Sequence, residues 1–75
     1  MKELTLFIVK SLVDRPDEAA VVSHEDDGAL ELSIRVADDD KGKVIGKQGK
    51  VIKAIRAVVG AAALKHQLRV ALDIE

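Results

Sequence analysis

The strictest constraint in this sequence is a change of hydrophobic period. From Leu30 to Val36 apolar and polar residues alternate singly, with Leu30, Leu32, Ile34 and Val36 on one face and Glu31, Ser33 and Arg35 on the other. A period of two describes a strand buried on one side and wet on the other. On both flanks the period lengthens. Leu4, Ile8 and Leu12 recur at helical spacing with Leu6, Val9 and Val13 on an adjoining stripe, and a helical pattern runs from Lys50 to about Leu64 or Lys65. The period of two then returns in Leu68, Val70, Leu72 and Ile74. A chain that switches in this way has to build a sheet and cover one face of it with helices.

The punctuation fixes the order of elements. Residues 2–14 read as a helix closed by Asp14, Arg15, Pro16 and Asp17, because proline disfavours helical geometry in the residue before it. Ala19 to Glu25, with Val21 and Val22, reads as a strand, and Asp26, Asp27 and Gly28 as a hairpin turn into the next one. Asp38 is expected to cap a short helix ending near Ile45, with Asp39 and Asp40 placing negative charge at its positive end. Gly46 to Gly49 separates it from the helix that starts at Lys50. The second and third strands are about 30 residues apart, enough for a right-handed crossover between parallel strands. The expectation is one α+β domain over residues 1–75, in the order α-β-β-α-α-β. Its three-stranded mixed sheet carries three helices on one face, and no repeat or linker interrupts it.

Composition narrows the function. The chain has no cysteine, which excludes disulfide scaffolds and Cys-ligated zinc miniproteins. Phe7 is its only aromatic residue, so the core must come from Ala, Val, Leu and Ile. The longest early apolar run, Leu6 to Val9, is too short for a signal peptide or a membrane span, so a cytoplasmic protein without membrane attachment is expected. A net charge of −1 speaks against a polyanionic partner until it is resolved along the chain. Residues 1–40 carry eleven acids against four bases, and residues 41–75 eight bases against two acids. Six of those eight bases lie between Lys41 and Arg56 with no acid among them.

That basic block contains the informative motif. Gly46 and Gly49 are spaced Gly-x-x-Gly around Lys47 and Gln48, between two helices. Glycines there permit backbone angles closed to other residues and let another backbone approach, while the loop aims amide donors at the start of the second helix, where a phosphate can sit. Lys47 and Lys50 add charge, and Val44, Ile45 and Ile52 offer an aliphatic surface to the flat face of a base. In isolation such a tetrapeptide is a helix C-cap and tight turn; the surrounding six-element pattern and the acid-free block give it the functional reading. A nucleotide-binding P-loop is excluded, since Gly42 and Gly46 enclose three residues rather than four and Gln48 follows the lysine. His24 and His66 lack a clustered partner, and Asp38, Asp39 and Asp40 read as helix-capping residues rather than metal ligands. No catalytic constellation emerges.

Ile45-Gly46-Lys47-Gln48-Gly49, with Val44 before it and Val51-Ile52 after it, resembles the signature loop of the K-homology (KH) RNA-binding domain. The element order is that of its type II form. The whole chain, including Val9 to Asp17 and Gly42 to Gly49, is similar to the KhpA family of small bacterial single-KH proteins. The resemblance implies a non-enzymatic, cofactor-free, chaperone-like RNA-binding protein. Its loop would clamp a sugar-phosphate backbone, and the adjacent helices with a sheet edge would hold about four nucleotides of single-stranded RNA in an aliphatic groove. On that reading Lys47 and Gln48 face phosphates between Gly46 and Gly49, Ile45 and Ile52 line the groove, and Lys43, Lys50 and Lys53 supply charge. The scarcity of aromatics agrees, because RRM, cold-shock and OB-type readers depend on stacking platforms. The resemblance also implies self-association or pairing with a second KH protein of the KhpB (Jag) type.

The helix from Lys50 carries a further expectation. Val51, Ile52, Ile55, Val59 and Ala62 form an ordinary core stripe, but Ala54, Ala57, Ala61 and Leu64 extend the apolar arc to about 260°, leaving Lys53, Arg56 and Gly60 as the polar sector. Small residues at 54, 57 and 61 would let another helix approach. That face is covered either by a protein partner, which makes an interaction adaptor the competing reading, or by the first helix of the same chain.

Overall fold

The alternation from Leu30 to Val36 becomes the middle of the sheet. In the computed structural model, which describes residues 1–75, the chain forms α1 (Lys2–Leu12), β1 (Ala20–Asp26), β2 (Ala29–Arg35), α2 (Lys41–Ile45), α3 (Lys50–Leu64) and β3 (Arg69–Ile74). Single 3₁₀ turns lie at Pro16–Glu18, Asp38–Asp40 and Lys47–Gly49. The strand order is β1-β2-β3, with β1 antiparallel and β3 parallel to β2. This is the α+β arrangement expected from the sequence. Asp27 and Gly28 both take positive φ, 47° and 79°, as a two-residue hairpin turn requires. The register sets Val21 opposite Ile34, and Leu32 opposite Leu72. The apolar rows of all three strands therefore share one face.

That face and the helices enclose the core. Val9 of α1, Leu30, Leu32 and Ile34 of β2, Val44 of α2, Ile52, Ile55 and Val59 of α3 and Leu72 of β3 belong to one buried cluster. Glu31 and Arg35 stay exposed on the opposite face. Thr5 is a polar intruder; its hydroxyl donates to the Met1 carbonyl one helical turn back, at 2.9 Å, so its burial leaves no open hydrogen bond.

Two expectations need correction around α1 and α2. The first helix stops at Leu12, since Val13 is already extended at φ −95° and ψ 157°. Asp14 and Arg15 then turn their N–H groups onto the carboxylate of Asp40, both at 3.1 Å. Nor does Asp38 cap the second helix, for no side chain caps either the Asp38–Asp40 turn or α2. Asp38 instead pairs with Lys41 at 3.3 Å. Asp40, 1% exposed, takes up the backbone donors left where the first helix ends, because Pro16 prevents that chain from continuing as helix. One carboxylate thereby ties the exit of α1 to the entry of α2.

Candidate nucleic-acid interface

The interface grows from the end of α2. Val44 is fully buried and fixes the helix against the core, and the Gly46 N–H closes the last turn onto the Gly42 carbonyl at 2.8 Å. Gly46 then takes φ 76° and ψ 171°. A Cβ there would lie 2.3 Å from Val51 Cγ2 and 2.8 Å from the Val51 nitrogen, so both the conformation and the space require glycine. Gln48 (φ 59°) and Gly49 (φ 74°) follow in left-handed geometry, and the chain enters α3 at Lys50. This reversal swings the long side chains of Lys47 and Gln48 into solvent while Ile45 stays half-buried beside them.

The electrostatics are set at the same place. No side chain caps the start of α3 and no acid occupies its first turn; the Lys50 N–H closes the preceding turn onto the Lys47 carbonyl, and no carboxylate competes for the N–H groups that follow it. Lys47, Lys50 and Lys53 are exposed and take part in no ion pair. Lys43 differs. Its ammonium donates to the Asp14 carboxylate and lies 3.9 Å from Asp40, and the Asp14 hydrogen bond raises its pKa above the ordinary lysine range. The sequence grouped Lys43 with the other lysines because Asp14 is 29 residues away along the chain. Ile52, expected along the groove, is 6% exposed and faces the core from the first turn of α3.

Two further features flank the loop. Arg56, which the sequence placed in the polar sector of α3 at the end of the basic block, reaches β3: its Nε–H donates to the Leu72 carbonyl at 2.7 Å, and Nη2 lies 3.5 Å from Asp73 Oδ1. No spacing within α3 signals this contact, because its acceptor is a backbone atom 16 residues on. On the other side of α3, Ile8 and Leu12 of α1 and Val51, Ala54, Ile55 and Val58 of α3 line an apolar groove of about 530 Å³, with Lys50 at its end. Ala54, Ala57 and Ala61 are exposed, as are Leu64 (70%), Val58 and Phe7 (71%). The first helix therefore does not cover this face.

The sequence model of the family described as KhpA/KhpB, KH domain, matches residues 2–74. Among curated proteins, the RNA-binding protein KhpA of Halalkalibacterium halodurans is 51% identical over 99% of this chain and 97% of its own. That of Clostridium acetobutylicum is 50% identical over 99% of each. That of Treponema pallidum is 44% identical over 97% of this chain and 91% of its own. No solved structure matches the chain significantly.

Proposed function

Because the chain belongs to the KhpA/KhpB family of KH domains, a non-enzymatic RNA-binding kind of protein, we propose that it holds short single-stranded RNA at the loop from Gly46 to Gly49. The observation that carries this reading is the uncapped, acid-free start of α3 beside three lysines, Lys47, Lys50 and Lys53, that no carboxylate engages. Phosphates would lie against the N–H groups that follow Lys50 in the first turn of α3, with Lys47, Gln48, Lys50 and Lys53 around them. Ile45 and the floor at Ile52 would meet the bases, and Gly46 and Gly49 would admit the close approach of the sugar-phosphate backbone. Lys43 contributes at longer range through its charge. No cofactor enters this scheme. Replacing Lys47 and Gln48 together by aspartate adds repulsion to phosphate without touching the core, and binding of single-stranded RNA should then fall by at least about tenfold. Unchanged affinity would remove the loop from the site.

A second role is favoured by the exposed apolar face of α3. Ala54, Ala57, Ala61 and Leu64 would form the contact for a second copy of the chain or for a KhpB (Jag)-type KH partner. Either pairing would set two RNA grooves side by side and raise avidity without a new RNA contact.

A further inference from the structure

β3 is an outer strand. It pairs with β2 alone, so half of its backbone groups point away from the sheet. The Arg69 N–H donates to Gly28 and the Glu75 N–H to Ile34, which assigns the odd-numbered residues of β3 to the β2 side. Val70, Leu72 and Ile74 therefore turn their N–H and C=O groups to the open edge. Two groups on that edge are already occupied. The Ile74 N–H is taken by Asp73 Oδ1 at 2.9 Å, and the Leu72 carbonyl by Arg56 Nε–H at 2.7 Å. Both Val70 groups, the Leu72 N–H and the Ile74 carbonyl are left facing out.

Arg56 lies on the line Gly49, Lys53, Arg56, Gly60 along one side of α3, which runs from the glycine loop to this edge. We propose that Arg56 is a positioning residue of the RNA groove: its guanidinium pins α3 to the Leu72 carbonyl and fixes the width between helix and strand. The inference rests on the RNA reading given above. Arginine suits the task because its planar fork holds a fixed direction while the charge stays on, whereas a lysine ammonium on a flexible stem keeps the charge and loses the geometry.

The test separates geometry from charge. Arg56→Lys and Arg56→Gln are compared with the parent for binding of single-stranded oligouridine across a salt series, with thermal unfolding as a check on folding. Arg56→Lys should bind about tenfold more weakly, with an unchanged slope of log affinity against log salt. Arg56→Gln should bind at least as weakly with the same slope. Arg56→Lys binding within about twofold of the parent would show that charge alone matters and overturn the proposal. A slope reduced by ~0.7 in Arg56→Gln would identify a phosphate contact and overturn it equally. A parent that binds no RNA overturns the RNA reading and this inference together; a parent whose binding fails on loop substitution but survives Arg56→Lys overturns this inference alone.

Discussion

Asp40 and Gly46 are the two residues on which the local geometry of the site depends. Removing the Asp40 carboxylate in Asp40→Ala leaves the Asp14 and Arg15 N–H groups without acceptors at a partly buried position, and should cost about 1–3 kcal/mol in urea denaturation. Gly46→Ala meets both a disfavoured φ of 76° and the Val51 side chain, and should cost about 2–4 kcal/mol or rebuild the loop. Lys43→Gln should change RNA affinity by no more than about twofold, because Asp14 and Asp40 already face its ammonium, whereas Lys47→Gln should lower the salt slope by ~0.7. The need for glycine at Gly46 is legible in the sequence, since a Gly-x-x-Gly between two helical patterns marks a chain reversal that calls for positive φ. The role of Asp40 is not. Asp38, Asp39 and Asp40 look equivalent in the chain, and only the folded backbone brings one of them under the end of α1.

Among the elements, α3 combines three tasks around one axis. Ile52, Ile55, Val59 and Ala63 bury its inner stripe; Lys53 and Arg56 mark the side toward β3; Ala54, Ala57, Val58 and Leu64 remain open. Helical periodicity identifies the excess apolar arc but assigns the last inner position to Ala62, which is half-buried while Ala63 is buried. A one-residue shift of this kind reflects how the helix rolls on the sheet, which no single segment encodes. Ala57→Glu tests the open side. It should leave stability within about 0.5 kcal/mol of the parent, as an exposed substitution does, while abolishing self-association or partner capture in sedimentation and pull-down measurements. A monomer at every concentration in the parent, with no partner recovered, would remove this role.

Across the whole protein, charge is partitioned by the fold as well as by the chain. The acid-rich first 40 residues supply Asp14 and Asp40, which bind Lys43, and the later segment keeps Lys47, Lys50 and Lys53 unpaired around the loop. About three phosphate contacts at that loop predict a slope near −2 for log affinity against log salt, measurable by titration over a range of ionic strength. A slope near zero would show that charge plays no part in binding. The element order, the sheet with one wet face, the glycine loop and the acid-free block all follow from the chain alone, because each is written in residues adjacent or periodic along it. Folding in three dimensions was needed to engage Lys43 with Asp14, to tie two helices together through Asp40, to bring Arg56 to the β3 edge, and to leave the small-residue face of α3 uncovered by α1. These depend on contacts between residues 16 to 29 positions apart or on helix orientation, and their partners are chosen by packing that no local pattern records.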